Sequence, residues 1–227
     1  MSIENVDINS ERNKFKIEHL GKVISEYWKE VSEKADYKVN KEWADRIAKE
    51  VSQSIVNKVI SVPDSIENDA LLTCLSNQEK SYEASTLLKE ALIENMHSIF
   101  WYPNNVYNDL SQAVSLKNYC ANLIGKCRDA QNNPFLMHND QILVGLFLLG
   151  PNQLYPAHQH PATEGWVVLS GRAKWQRGDE PWVIREPGEY FVHASNESHA
   201  METMDEPLLA MWAWTGDLDK WAQWVEQ

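Results

Sequence analysis

The spacing of apolar residues changes character once along this chain. Through about the first 130 residues they return every three or four positions, the period of helices with one buried stripe. "HLGKVISEYWKEVSEKA" puts Leu20, Val23, Ile24, Tyr27, Trp28 and Val31 on one face. After "DYKV", Asn40 is placed to cap a second helix, "KEWADRIAKEVSQSIVNKVI", whose stripe is Trp43, Ile47, Val51, Ile55 and Ile60. "VPDSIEND" breaks the pattern. A third helix is expected over roughly 78–100, with Ala84, Leu87, Leu88, Ala91, Leu92 and Met96 inward. "YPNNVYND" reads as a loop, and a shorter helix is expected over 115–126.

From about residue 140 the runs become short and β-rich: "QILVGLFLLG", "LYPAHQH", "EGWVVLSG", "RAKWQRGDEP", "WVIREPGEY", "FVHASNESHAM" and "LLAMWAWTG". Gly171, Gly178-Asp179, Pro187-Gly188 and Pro207 supply the turn chemistry between them. Many short strands at even spacing predict an antiparallel jelly-roll sandwich or barrel. The expected class is α+β, with a helical N-terminal region over 1–135 and a β-barrel over 136–227.

Composition narrows the function. A 227-residue chain with 43% apolar and 24% charged residues has material for a substantial core. A net charge of −12 disfavours nucleic acid and anionic membrane surfaces as partners and is compatible with a small cationic or zwitterionic ligand, the expected partner being a small zwitterionic substrate. The start is polar, "ILVGLFLLG" is about half a bilayer span, and Cys74, Cys120 and Cys127 form no CxxC pair. These features predict a cytoplasmic protein with reduced thiols, no leader and no membrane anchor. The oligomeric state is not encoded in any of them.

The chemistry concentrates in "YPAHQHPATEGWVVLSG", residues 155–171. Side chains two apart on a strand share a face, so His158 and His160 point the same way. A small excursion at "PAT" lets the strand continue with Glu164 and Trp166 inward. Two imidazoles and a carboxylate then converge, a donor set suited to a divalent transition metal such as Zn, Fe, Mn or Ni. A fourth ligand is expected from another strand. His199 is the best candidate and His193 the runner-up, either facing outward or supplying supporting hydrogen bonds. His19, His97 and His138 read as ordinary surface or core residues.

"HQHPATEGWVVLSG" resembles the first motif of the cupin superfamily, H-x-H-x(3)-E-x(6)-G, with Gly171 closing it. "PGEYFVHASNESH" is similar to the second, with Ala194 and Asn196 where a proline usually precedes the turn. More narrowly, "GLFLLGPNQLYPAHQHPATEGWVVLSGRAKW" and "HAMETMDEPLLAMWAWTGDL" resemble bacterial dimethylsulfoniopropionate lyase cupins and their lyase-like relatives, which also carry a helical N-terminal half. The resemblance implies metal ligands at His158, His160, Glu164 and His199 and a catalytic base at Tyr155. It implies β-elimination of the sulfonium acid to dimethyl sulfide and acrylate. Trp166 stands where that family typically has a tyrosine. Trp166, Tyr190, Trp212 and Trp214 are the expected substrate-binding aromatics, suited to a sulfonium that offers no proton. Trp212 and Trp214 also fit a plain barrel core. Two other classes share the metal site: a dioxygenase or isomerase acting on a small acid, and a ligand-binding cupin without turnover.

Overall fold

The computed structural model describes residues 11–57, 68–76, 84–104, 118–126 and 135–225. Four helices come from the first half: α1 (Glu11–Lys34), α2 (Lys38–Ser52), α3 (Asn68–Ser76) and α4 (Ser85–Asn95). The stripe read for α1 is buried in full, packed with Ala44, Ile47 and Val51 of α2 and Leu88, Ala91 and Leu92 of α4.

The helix boundaries differ from the reading. Tyr37, in extended conformation and without a side-chain cap bond, precedes α2, so Asn40 lies inside the first turn and caps nothing. The helix closes at Ser52, where Gln53 N–H bonds back to the carbonyls of Glu50 and Val51. Ile55 therefore leaves the stripe for strand β1 (Ile55–Val56) and is exposed. Ile60 and residues 78–83 lie outside the described residues. Within the expected third helix, Leu87 is exposed while Leu88, Ala91 and Leu92 are buried, so its inward face is narrower than read.

Twelve further strands follow: β2 (Trp101–Pro103), β3 (Asn118–Gly125), β4 (Met137–His138), β5 (Leu143–Leu149), β6 (Leu154–Gln159), β7 (Ala162–Ser170), β8 (Ala173–Arg177), β9 (Val183–Arg185), β10 (Tyr190–His193), β11 (His199–Thr203), β12 (Leu208–Gly216) and β13 (Gln223–Trp224). One sheet runs β1-β4-β3-β5-β12-β7-β10, with β2 paired onto β3; the other runs β13-β6-β11-β8-β9. The expected short helix over 115–126 is instead strand β3. It lies between β5 and β4 and is covered on both faces, so it shows no period-two polarity. The sheet thus draws strands from both sides of residue 136.

The larger sheet sorts its side chains by parity. Gly165, Val167, Leu169, Met211 and Ala213 face the helices, while Glu164, Trp166, Val168, Trp212 and Trp214 face the second sheet. Two apolar cores result, one between helices and sheet and one between the two sheets. Gly165 makes the first possible, because a Cβ there would sit 2.4 Å from the Trp43 ring. Gly171, at φ +76°, would put a Cβ 2.1 Å from the Pro207 carbonyl oxygen, which explains the motif's closing glycine.

Candidate metal centre

The histidine motif does not lie on one continuous strand, as its spacing suggested. His158 sits near the end of β6 in the smaller sheet, His160 at the corner, and Glu164 in β7 of the larger sheet. The "PAT" excursion is the crossing between sheets. Asn196, with φ 60°, donates its backbone N–H to the His160 carbonyl at 2.8 Å, pinning the β10–β11 turn to this corner. His199 opens β11 directly opposite His158.

Each of the three imidazoles binds a backbone carbonyl two residues away through Nδ1. His158 meets Pro156 O at 2.9 Å, His160 meets Ala162 O at 3.0 Å, and His199 meets Glu197 O at 2.9 Å. Only a protonated Nδ1 can donate to a carbonyl, so in the neutral ring each lone pair resides on Nε2. Nε2 of His160 and of His199 stand 3.2 and 3.1 Å from Oε2 of Glu164. A lone pair facing a carboxylate oxygen is repulsive unless a proton or a cation lies between them. His199 Nε2, moreover, makes no hydrogen bond among the described residues in spite of its proximity to Glu164. The donor atoms of His160, Glu164 and His199 all lie within 4.8 Å of one another and all three residues are buried. The residues fit a divalent cation.

Electrostatics agree. Burial pulls His160 down, but the Glu164 carboxylate outweighs it and the imidazole pKa is raised. Burial pushes the Glu164 carboxyl up, and His160 and His199 overcome it, holding the group well below the usual carboxylate range. His158 is pushed well below the ordinary imidazole value by burial and then by His199, so it stays neutral and available as a donor. Its ring centroid is 4.2 Å from that of His199.

Beside these groups lies a cavity of ≈ 210 Å³ walled by Tyr102, Asn104, Cys120, Phe147, Tyr155, His158, Glu164, Trp166, Trp212, Trp214, Trp221 and Ala222. Tyr155 reaches it from β6, its ring 4.4 Å from His158 and its hydroxyl accepting a bond from Asn104 Nδ2 at 3.0 Å. Trp166 packs edge-on to Phe147, and its Nε1 is buried without a hydrogen-bond partner among the described residues. Trp212 donates Nε1 to the Leu146 carbonyl at 3.2 Å. Trp214 donates Nε1 to Glu164 Oε1 and stacks on His160 at 4.1 Å.

Tyr190 is not brought to this cavity. Phe191 and His193 take the inward parity of β10, so Tyr190 faces the helices, where its hydroxyl donates to the Asn40 carbonyl at 3.0 Å and its ring packs on Trp28 and Trp43. His193 faces inward, stacked on His199 at 4.3 Å and 8°; its Nδ1 lies 3.4 Å from Glu197 Oε2, and among the described residues neither ring nitrogen is hydrogen-bonded. Tyr102, Asn104 and Cys120 went unread in the sequence. Strand β2 is only three residues long, too short for any periodicity, and β3 resembled a helix. Tyr102 donates to Asn122 Oδ1 at 2.7 Å, and burial, reinforced by Cys120, pushes its phenol well above the ordinary value.

Helices against one face of a two-sheet β fold, with imidazoles and a carboxylate converging between the sheets, define a cupin with a candidate metal centre. The model of the dimethylsulfoniopropionate (DMSP) lyase family matches residues 68–210, and the chain belongs to that family. It is 32% identical over 93 residues to the dimethylsulfoniopropionate lyase DddQ of Ruegeria pomeroyi. That match covers 41% of this chain and 45% of the relative, less than half of its length. The crystal structure of DddQ from the same organism superposes with TM-score 0.61 at 24% identity, covering 76% of this chain and 82% of that one. A structure reported with the DMSP lyases RdDddP and RnDddQII gives TM-score 0.67 at 18% identity, covering 93% and 98%. At these identities the structural likeness is one of fold.

Proposed function

We propose that the protein is a metal-dependent carbon–sulfur lyase that cleaves dimethylsulfoniopropionate to dimethyl sulfide and acrylate by β-elimination. The observation that carries this reading is the position of Tyr155, which shares one aromatic cavity with His158 and Glu164. The family membership supports it, as does the DddQ relative.

A divalent cation held by His158, His160, Glu164 and His199 would act as a Lewis acid, binding the substrate carboxylate and stabilising charge that develops toward the adjacent carbon. Tyr155 accepts the proton from that carbon at Oη. The Asn104 amide, already donating to Oη, stabilises the phenolate form that does so. As the C–H pair becomes the new double bond, the C–S bond breaks and dimethyl sulfide leaves. The faces of Trp166, Trp212 and Trp214 cover the sulfonium, which has no N–H or O–H to donate. Tyr102, held protonated, acts as a hydrogen-bonding wall rather than a base.

The test is headspace gas chromatography of dimethyl sulfide after DMSP is added to protein loaded with Zn, Fe, Mn or Ni. Release above the metal-free protein is expected, and no release with any of the four sinks the reading.

One observation favours a second reading. Trp166 occupies the place of the tyrosine typical of the lyases and, beside the cavity, buries an N–H that has no partner among the described residues. The same metal centre would then process a different small carboxylic acid, one with an acceptor for that N–H. Oxygen uptake and isomerisation assays on small hydroxy and keto acids separate the two.

A further inference from the structure

Trp214 touches two of the expected ligands at once. It lies directly opposite Glu164 in the β12–β7 register, donates its indole N–H to Glu164 Oε1, and stacks on His160 at 4.1 Å and 30°. Its strand is held between β5 and β7, and the side chain is buried. We propose that Trp214 is a positioning residue of the metal centre, its N–H occupying Oε1 so that Glu164 presents a single oxygen, Oε2, to a cation.

A buried carboxylate has about four lone-pair sites, and an oxygen left without a donor there is costly. With Oε1 engaged, Oε2 is the atom that stands within 3.2 Å of both His160 and His199 Nε2. Without the indole N–H, Oε1 would be left buried and unsatisfied, and the carboxylate would lose the bond that orients it, so it would hold a cation less firmly and could turn Oε1 toward it as well. The stacked face also fixes the plane of His160, whose Nδ1 is already tied to Ala162. Trp212 provides a control on the same strand and face. Its N–H bonds to the Leu146 backbone and reaches no ligand. The inference rests on the metal centre of the proposed function and not on its substrate.

The experiment is cobalt substitution of the full chain, because the d–d absorption of Co(II) weakens as its coordination number rises. Trp214→Phe keeps a ring over His160 and deletes the N–H. It is expected to bind Co(II) and Zn(II) roughly tenfold or more weakly in chelator competition and to show weaker d–d bands. Trp212→Phe should match the parent in both. Wild-type affinity and spectrum in Trp214→Phe overturn the proposal, as do equal changes in Trp212→Phe, which would reduce Trp214 to packing. If Trp214→Phe does not fold, benzothienylalanine at position 214 keeps the indole shape and lacks only the N–H, and the same outcomes apply. Neither readout requires DMSP turnover, so an inactive protein with these spectra rejects the substrate and leaves the positioning role standing.

Discussion

His158 and His199 face each other directly across the β6–β11 pair, ring centroids 4.2 Å apart, and each ties its Nδ1 to a carbonyl of its own strand region. The pairing brings β11, distant in sequence, to the β6–β7 corner that carries the other candidate ligands. His160→Ala, Glu164→Ala and His199→Ala should each lower bound metal, by roughly a hundredfold in affinity or more, beyond the 10–100-fold typical of supporting residues. Elemental analysis after dialysis against a weak chelator measures it. Full metal content in any of the three removes that residue from the ligand set.

Tyr155→Phe should reduce dimethyl sulfide release by about 10²–10⁴-fold, the usual worth of a positioned general base. Metal content should stay unchanged, since the phenol is bonded to Asn104 and is not one of the proposed ligands. Parallel gas chromatography and elemental analysis decide it; near-parental release excludes Tyr155 as the base.

Acid should destabilise the metal-free protein through its neutral buried imidazoles. Burial, and then His199 beside it, pushes His193 down to about 2 from an ordinary 6.5, and His158 is also lowered. Below 6.5 the unfolded chain takes up protons that these folded rings refuse, so stability falls as pH drops, by about 1.4 kcal/mol per unit per histidine. His160, whose pKa is raised, contributes the opposite sign: its stabilisation is present below 6.5 and is lost as pH rises through the folded value. The two lowered groups outnumber it. Urea melts from pH 8 to pH 5 should therefore show decreasing stability, and His193→Phe should flatten the slope. An unchanged slope in that variant places the proton uptake elsewhere.

Gly165→Ala should cost about 1–3 kcal/mol, the range for overpacking a filled core, because the new methyl meets the Trp43 ring. Trp43→Ala in the same chain should recover part of the steric loss while giving up the Trp43 Nε1 bond to Thr215. Chemical denaturation of the single and double variants measures the coupling. Purely additive losses would argue that the ring and the glycine do not compete for space.

Much of this site could be read along the chain because its ligands are close in sequence and obey strand parity. His158, His160 and Glu164 fall within seven residues, and Tyr155, Trp166, Trp212 and Trp214 share the inward phase that lines the cavity. Tyr190 shows where that reasoning stops. Which face of β10 looks inward depends on its pairing with β7, where His193 aligns with Glu164, and no local pattern around Tyr190 records that partner.

Local spacing determined the helical stripe of α1, the turn glycine at 171 and the candidate donor set, since each depends on neighbours within a turn or a strand. Tertiary structure decided that the motif crosses from one sheet to the other, that β3 is a strand, and that Tyr102, Asn104 and Cys120 complete the cavity. It also decided that Trp214 bonds to Glu164. The physical reason is the same in each case. Strand pairing and burial on both faces are long-range contacts, whose energy comes from partners 20 to 54 residues away, and a window of adjacent residues contains neither the partner nor its register.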